Sequence, residues 1–502
     1  MNHFDYAVVG AGSAGCVIAA RLSEDPRKRV LLLEAGPADG PENMAVPPAW
    51  PSLIGSEVDW GYATVPQLTA GGMAREYPLG KVLGGSSSIN GMTFLRGHRC
   101  GYDEWPAAGA TGWGYEDLLP FFKRSETCEG RDRAFRGGHG PMRVAQARLA
   151  NPLSYAFLNA AAGAGYRRSD DLNGRDQEGV CWTDLNIIDG SRQSAADGYL
   201  RPVLDRVNLT VVTNALVHRL VVADGRCAGV EYSVGGELRQ VYPEGETILT
   251  AGTIGSAQLL MLSGIGPPEH LRAVGIDVAA DLPGVGANLQ DHPLAGVLYA
   301  AAQPVPPGQN NHGEVYAAIR TTPELPGPDI QVFLIDAPFH PPWMPGPDVG
   351  YTIAFTTLHP RSRGSVRLPD ADPASTPLID PNFFGDDRDM VAMLTALRIA
   401  REVGSSPAFD DWCADEVLPG PRPQDAAELC DYLRRGTNPY HHPVGTCRIG
   451  SDPAAVLDSQ LRVRGVDRLR VADASVMPAI PGANTHAAVL AIAERAATLI
   501  GQ

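Results

Sequence analysis

Gly10-Ala11-Gly12-Ser13-Ala14-Gly15 stands between a short apolar segment, residues 5–9, and a stretch of small apolar residues, 13–22. This run fits the pattern G-x-G-x-x-G. The first glycine permits a tight turn, the second lets the backbone approach a pyrophosphate, and the third lets a helix lie close to a strand. Free N–H groups at the start of that helix attract phosphate. We therefore predict a strand, turn and helix that bind a dinucleotide, with Ser13 and Ala14 in the first helical turn.

The segment after the predicted helix supports this interpretation. Residues 29–33 (RVLLL) have the composition of a buried parallel strand, and Glu34 stands at its end. An acid in this place accepts hydrogen bonds from ribose hydroxyls and disfavours a 2′-phosphate, which argues against NADP. Glu34 and Ala35 are therefore predicted to line the cofactor site. The glycine pattern alone does not distinguish FAD from NAD.

The rest of the chain predicts two kinds of sheet. Residues 208–250 indicate successive strands, with Asp224-Gly225 and Gly235-Gly236 as hairpin turns. Residues 300–380 contain many prolines and β-like runs such as DIQVFLI and GYTIAFTTL, which indicate a second, antiparallel domain. Helices are expected over 387–403 and 485–500.

Composition excludes several classes of function. The formal net charge of −16 argues against nucleic acid or an anionic membrane surface as the main partner. The cysteines form no C-x-x-C pair, so we predict no metal site and reduced thiols in a cytoplasmic protein. Neither a signal peptide nor an apolar run long enough to span a membrane is expected.

Five further blocks follow in order along the chain. They are GKVLGGSSSING at 80–91, AGTIGSAQLLMLSGIG at 251–266, GVGANLQDH at 284–292, HPVGTCR at 442–448 and LRVADASVMP at 469–478. Together with the glycine turn they resemble the signatures of the GMC (glucose–methanol–choline) oxidoreductase family. The resemblance runs from residue 4 to about residue 499. One departure is Ala257, which stands where the family usually has proline or serine.

The resemblance implies an α/β fold, α+β overall, built from two domains. A Rossmann-like FAD-binding domain would comprise residues 1–150, 190–298 and 440–502. A substrate-binding domain on an antiparallel sheet would comprise 151–189 and 299–439. The cofactor would be FAD, and beyond the first glycine turn it would be lined by Gly84, Gly85, Ser86, Asn90, Gly91, Met92, Val217, Ala251, Gly252, Asp473, Ala474, Asn484 and Thr485.

The resemblance also assigns parts of the cofactor to some of these residues. The backbone of Val217 would touch the adenine region, and Asp473 and Ala474 would sit by the ribityl chain and pyrophosphate. Asn484 and Thr485 would lie near the pyrimidine end of the flavin. Ile89 stands where some members link the flavin covalently through a histidine, so the FAD is predicted to be non-covalent.

Oxidation of an alcohol needs a base for the hydroxyl proton and a second group that orients the alkoxide while hydride leaves for the flavin. The family places a histidine before Pro-x-Gly-Thr, which is His442, and a histidine or asparagine after the last strand. We predict His442 as the base and His486 as the second group. His441 adjoins His442, but the Pro-Val-Gly-Thr anchor favours His442, and neighbouring side chains in an extended segment point oppositely.

The substrate pocket is less well indicated. By resemblance, Thr93, Phe94 and residues 310–360 would line it, with Phe333 and Phe355 facing the cavity. Glu314 in the pocket would favour a cationic alcohol. The predicted partners are a small-molecule alcohol and an electron acceptor, either oxygen or a quinone or dye. The alternatives are an FAD-containing hydroxynitrile lyase, a non-catalytic flavin-binding protein and a nicotinamide dehydrogenase.

Overall fold

The computed structural model describes residues 3–501, and a sheet of five parallel strands lies at its centre. In spatial order the strands are Leu209–Val212, Val30–Leu33, Tyr6–Val9, Glu246–Leu249 and Leu469–Val471. Every side chain of Tyr6–Val9 and Val30–Leu33 is buried, because helices and further strands cover both faces of a parallel sheet. The predicted Rossmann-like sheet is confirmed.

Helices surround this sheet and also cover the second one. The α-helices are Ser13–Leu22, Cys100–Asp103, Tyr115–Ser125, Pro152–Gly163, Gly252–Leu262, Pro268–Ala273, Asp387–Gly404, Ala426–Gly436 and His486–Ile500. Short helical turns span Glu42–Ala45, Pro47–Leu53, Gly85–Ser88, Pro106–Ala108, Ala196–Leu200, Arg201–Val203, Pro407–Phe409 and Ala474–Val476. Across residues 3–501, none of the helices has the length and apolar character needed to cross a bilayer.

A three-stranded antiparallel sheet follows the strand Leu209–Val212. Its strands are Ala215–Ala223, Arg226–Val234 and Glu237–Val241. At the first turn Asp224 and Gly225 have φ of 50° and 70°. At the second turn Gly235 and Gly236 have φ of 59° and 83°. Two successive positive φ angles are typical of the tight hairpin turns that match strand twist, so both predicted hairpins are confirmed.

The second large sheet is antiparallel, as predicted. In spatial order its strands are Cys413–Leu418, Pro293–Ala301, Gly350–Thr357, Ile330–Ile335, Val315–Ile319 and Gly179–Trp182, and Asn438–Pro439 pairs with Pro293–Ala301. The helix Asp387–Gly404 packs on one face. The predicted domain boundary at residue 298 falls inside a strand of this sheet.

The two faces of the second sheet carry different side chains. Phe333 belongs to a small cluster with Tyr316, Ala354 and Leu294. Its neighbour Val332 belongs to the apolar core beneath the helix Asp387–Gly404. Successive side chains of a strand point to opposite faces, so the face that carries Phe333 is free to border a site between the sheets.

Short strands complete the structure around these sheets. They pair as Tyr62–Ala63 with Glu76–Tyr77, Glu126–Thr127 with Met142–Arg143, Ala145–Gln146 with Asp184–Leu185, Ile187–Ile188 with Ser191–Arg192, and Ile265–Gly266 with Ala280–Asp281. Ala287–Leu289, Gly364–Arg367 and Leu378–Asp380 form a three-stranded sheet. Fully buried Glu126 joins Arg96 and Arg136 at 2.7 and 2.8 Å, which fixes the loop after Phe94.

Candidate active site

The first glycine turn has the tight geometry that its sequence predicts. Gly10 has φ of +101°, and a Cβ atom there would lie 2.7 Å from the carbonyl oxygen of Thr250. A Cβ on Gly15 would lie 1.8 Å from the carbonyl oxygen of Gly10. A Cβ on Gly12 would meet its nearest neighbours only at 4.0 Å. The backbone is therefore open at Gly12, where a pyrophosphate would approach.

A second glycine turn packs against the first one. Gly84 and Gly85 have φ of 90° and 54°, and the Gly84 amide donates to the carbonyl of Ala11 at 2.8 Å. A Cβ on Gly85 would lie 2.7 Å from the Cα of Gly12. The two turns thus meet backbone to backbone, next to the start of the helix Ser13–Leu22.

The segment after the second turn is held by side-chain hydrogen bonds. Ser86 Oγ accepts from the Gly80 amide at 3.1 Å. Asn90 Oδ1 accepts from the amide of Met92 at 3.0 Å and from Arg192 Nη1 at 2.9 Å. Met92 has φ of 56°. The Gly91 carbonyl accepts from Asn311 Nδ2 at 2.5 Å. These bonds fix the predicted flavin-lining segment.

Glu34 lies at the end of its strand, beside the first turn. Its carboxylate accepts from the amides of Ala11 at 2.8 Å and Gly36 at 2.9 Å. Burial raises the pKa of this carboxyl to about 7. The Glu34 carbonyl accepts from the amide of Ala215 at 2.8 Å, which places the strand that carries Val217 beside Glu34 and Ala35.

Asp473 joins the C-terminal part of the chain to the helix Gly252–Leu262. One carboxylate oxygen accepts from the Gly252 amide at 3.0 Å and from Ser256 Oγ at 2.6 Å. The other accepts from the amide and hydroxyl of Ser475 at 2.9 and 2.6 Å. The side chain is therefore a structural link, and the contact of Asp473 and Ala474 with the cofactor remains a prediction. Ala251 donates to Ser256 Oγ at 3.2 Å.

His442 is buried, and both of its ring nitrogens have neighbours. Its amide donates to Asp291 Oδ1 at 2.9 Å. Nδ1 lies 3.0 Å from Nδ1 of His292, and Nε2 lies 3.2 Å from Nδ2 of Asn484. Burial, reinforced by His292 and His441, lowers the pKa of His442 well below its usual 6.5. The ring is therefore neutral at physiological pH, as a base requires.

In the structure Asn484, rather than His486, contacts the ring of His442, and the role of His486 as the second group remains a prediction. His486 opens the helix His486–Ile500 after Thr485, and its Nδ1 lies 3.2 Å from Ser13 Oγ. Ser13 is the first residue of the helix after the glycine turn. Residues two positions apart at a helix start point in different directions, so Asn484 reaches His442 while His486 reaches the cofactor turn.

His441 is oriented away from the partners of its neighbour. It has φ of +62°, and its ring lies edge-on to Tyr77 with centroids 6.4 Å apart. The ring of His442 instead lies 4.2 Å from the ring of Tyr440. The two adjacent histidines therefore have different surroundings, although the positive φ of His441 shows that the segment is not extended there as expected.

An aromatic cluster lies beside His442. The rings of Tyr316 and Phe333 are parallel with centroids 4.6 Å apart, and Phe333 stacks on Tyr440 at 5.4 Å. The hydroxyl of Tyr316 lies 3.3 Å from that of Tyr440 and 3.2 Å from Thr93 Oγ1. Phe94 lies edge-on to His486, with ring centroids 6.2 Å apart. Thr93 and Phe333 thus belong to the cluster beside His442, and Phe94 contacts His486.

Two predicted pocket residues lie elsewhere. Phe355 pairs with Val332 in the sheet and belongs to the core on the helix-covered face. Its side chain therefore points away from Phe333 because the two lie in opposite phase on neighbouring strands. Glu314 accepts hydrogen bonds from the Asn151 amide, Ser154 Oγ and Asn310 Nδ2, all outside the aromatic cluster. It stabilises the start of the helix Pro152–Gly163.

Three residues of this region were not predicted as site residues: His292, Tyr440 and Arg192. Tyr316 was covered only by the predicted range 310–360. His292 belongs to the block GVGANLQDH, but its contact with His442 joins positions 150 residues apart. Tyr440 precedes the two histidines directly, which is the only local signal. Arg192 donates to the Ser87 carbonyl at 3.2 Å and to Asn90, and nothing in the sequence singles it out.

The residues of the cleft fit a bound flavin nucleotide. Two glycine turns offer bare backbone, and the helix Ser13–Leu22 directs its N-terminus at their junction. Among residues 3–501, three buried polar atoms around the cleft lack a hydrogen-bond partner: Asn484 Oδ1, His486 Nε2 and Arg192 Nη2. Buried polar groups are almost always hydrogen-bonded, so a ligand with polar edges accounts for these three atoms.

Comparison with known families agrees with this geometry. The N-terminal model of the GMC oxidoreductases matches residues 4–294, and the C-terminal model matches residues 360–493. The chain belongs to the GMC oxidoreductase family. It is 38% identical to the oxygen-dependent choline dehydrogenase of Photobacterium profundum over 99% of this chain and 93% of that protein.

Solved structures of GMC oxidoreductases superpose closely on this chain. The pyridoxine 4-oxidase from Mesorbium loti has a TM-score of 0.96 and 39% identity, with 99% of both chains covered. An FAD-dependent oxidoreductase from Chaetomium thermophilum has a TM-score of 0.90 and 27% identity, with 99% of both chains covered. The chain is therefore a GMC-type enzyme that acts on CH–OH groups, and its cofactor is FAD.

Proposed function

We propose that this enzyme oxidises a neutral alcohol whose CH–OH carbon is attached to a planar aromatic group. The observation that carries the proposal is the stack of Tyr316, Phe333 and Tyr440, whose last ring lies 4.2 Å from the ring of His442. Aromatic rings favour offset or edge contacts with other aromatic rings. The hydroxyls of Tyr316 and Tyr440 add polar contacts at the edge of this surface.

His442 and Asn484 supply the proton chemistry in this proposal. A substrate hydroxyl placed beside both atoms would donate to His442 Nε2 and accept from the second N–H of Asn484 Nδ2. His442 takes the proton at Nε2 while the amide of Asn484 stabilises the negative charge that develops on the oxygen. FAD, when bound, accepts the hydride from the same carbon. The substrate thus loses one hydride from carbon and one proton from oxygen, becomes an aldehyde or ketone, and leaves the proton on His442.

The charges around the cluster support a neutral substrate. Asp291 accepts from Tyr77 at 2.8 Å through one oxygen and from the His442 amide through the other. Burial raises the pKa of this carboxyl to about 7. The carboxylate of Glu314 is satisfied by Asn151, Ser154 and Asn310. Both carboxylates are thus engaged by the protein, and neither is free to balance a substrate cation.

An anaerobic screen of alcohols tests the proposal. Benzyl alcohol and pyridine carbinols should bleach the flavin absorbance at least tenfold faster than choline at equal concentration. Aromatic faces also attract quaternary ammonium groups, so preferential bleaching by choline would refute the aromatic assignment. Cleavage of mandelonitrile without any bleaching would instead establish the lyase alternative. The His442→Ala holoenzyme serves as a control that should retain its flavin and resist reduction.

A further inference from the structure

His292 lies behind His442 and connects it to the second sheet. Its side chain is fully buried. Its Nδ1 lies 3.0 Å from Nδ1 of His442, and its Nε2 lies 3.1 Å from the carbonyl oxygen of Leu358. The two imidazole rings are nearly perpendicular, at 89°. Each nitrogen of His292 therefore has one defined neighbour.

These two contacts determine which nitrogens carry protons. A carbonyl oxygen only accepts, so Nε2 of His292 carries a proton and donates to Leu358. Burial lowers the pKa of His292 to about 3, so the ring is neutral and its Nδ1 has a lone pair. That lone pair must accept a hydrogen from Nδ1 of His442. A neutral His442 protonated at Nδ1 then has its lone pair at Nε2, beside Asn484.

We propose that His292 is a positioning residue that fixes the tautomer and ring orientation of His442, so that the lone pair of Nε2 faces the substrate hydroxyl. This inference rests on the proposed role of His442 as the base. His292 would act like the buried carboxylate of a serine-protease triad, which holds the catalytic histidine in the productive tautomer. In this protein the neutral imidazole of His292 holds His442, and the Leu358 carbonyl in turn holds His292.

The arrangement also suits the proton step itself. When His442 takes the hydroxyl proton at Nε2, the Nδ1–H bond to His292 stays in place. The Leu358 carbonyl keeps its bond to His292 as well. Neither ring has to turn, so the geometry of the reacting oxygen is preserved while the charge changes. Preorganised groups of this kind cost no reorganisation at the moment of reaction.

Nitrogen-15 NMR of the holoenzyme, labelled at histidine, tests the tautomer directly and without turnover. We expect the resonances that disappear in His442→Gln to show a protonated Nδ1 and an unprotonated Nε2 near neutral pH. A ring protonated at Nε2 alone would overturn the proposal. This measurement is informative even if no alcohol reduces the flavin. Failure of the proposed function can therefore be distinguished from failure of the proposed positioning by His292.

Two variants test its effect on the reaction. In His292→Asn the amide oxygen stands near the place of Nδ1 and still accepts from His442. In His292→Leu the acceptor is lost at similar side-chain size. We expect flavin reduction to slow about 10²-fold in His292→Leu and about threefold in His292→Asn, in the range of lost general-base efficiency. Equal rates in both variants, with unchanged His442 resonances in His292→Leu, would contradict the proposal.

Discussion

Nδ2 of Asn484 lies 3.2 Å from Nε2 of His442, which is a direct hydrogen-bond distance. Asn484 stands two positions before His486, which the sequence predicts as the group that orients the alkoxide. The amide of asparagine can donate to an oxygen without changing its charge, whereas a histidine could also titrate. The pair therefore has one titratable member, His442.

Substitution at these two positions separates their roles. Asn484→Ala should slow flavin reduction about 10²-fold because one donor to the developing alkoxide is lost. The flavin content should not change. His486→Ala should instead weaken flavin retention, since its ring contacts Ser13 at the cofactor turn. Stopped-flow reduction and the ratio of flavin to protein measure the two effects. Loss of the rate in His486→Ala, with full activity in Asn484→Ala, would contradict the role of Asn484 and support the predicted role of His486.

The pH dependence of reduction follows from the state of His442. Burial lowers its pKa well below 6.5, and only the neutral ring accepts a proton. The rate of anaerobic flavin reduction should therefore stay level from about pH 8 down to about pH 6, and should fall only in more acidic solution. The measurement is stopped-flow reduction at saturating alcohol. A rate that halves between about pH 6.5 and about pH 7 would contradict the direction of this shift.

Gly85→Ala should disrupt the cofactor cleft. The new Cβ would lie 2.7 Å from the Cα of Gly12, and φ of +54° is strained for alanine. We expect a loss of about 1–3 kcal/mol in unfolding free energy together with weaker flavin binding. Gly163→Ala is the matched control, because a Cβ there meets nothing within 4 Å. Denaturant unfolding and flavin titration should leave the control within about 1 kcal/mol of the parent.

Substitution of Glu314 tests whether this carboxylate contributes to folding stability or to the choice of substrate. Its oxygens accept three hydrogen bonds, two of them at 2.9 Å from Asn151 and Ser154. Glu314→Ala should lower the unfolding free energy by about 1–3 kcal/mol because buried donors lose their acceptor. The ratio of rates for benzyl alcohol and choline should not change. The exposed Glu324 provides the control variant Glu324→Ala. A selective loss of choline turnover in Glu314→Ala would place this carboxylate in the pocket.

The flavin should be released intact by acid. Ile89 is 6% exposed and packs with Leu53, Val58 and Val82, and its hydrocarbon side chain cannot bond to the isoalloxazine ring. Precipitation of the holoenzyme with trichloroacetic acid should leave all of the yellow colour in the supernatant. Flavin absorbance that stays in the washed pellet would show a covalent link through another residue.

Local patterns predicted the parts of the fold that local physics controls. The glycine turn, the strand before Glu34 and the hairpins at Asp224-Gly225 and Gly235-Gly236 all depend on conformations that neighbouring residues dictate, and the structure confirms them. The antiparallel second sheet was also predicted from its β-rich runs. The expected domain boundary at residue 298 falls within the strand Pro293–Ala301. A continuous apolar run contains no residue pattern that indicates where one domain ends.

The arrangement of side chains at the site was less accessible from sequence. Whether Asn484 or His486 reaches His442 depends on the angle at which the last helix begins. Phe333 and Phe355 have the same character in sequence, and only the register between their strands places them on opposite faces. The contact of His292 with His442 is set by the packing of the two sheets. The roles assigned to His442 and to the cofactor-lining residues remain predictions that the variants above address.

The central sheet takes one of its two edge strands, Leu469–Val471, from the last tenth of the chain. The link Asp473 and the side chain of Asn484 follow this strand, so the ribosome makes them after every residue of the second sheet. A nascent chain that has completed both glycine turns still lacks one wall of the flavin cleft. Capture of the flavin is thus coupled to completion of synthesis, and a chain truncated before residue 469 should emerge colourless.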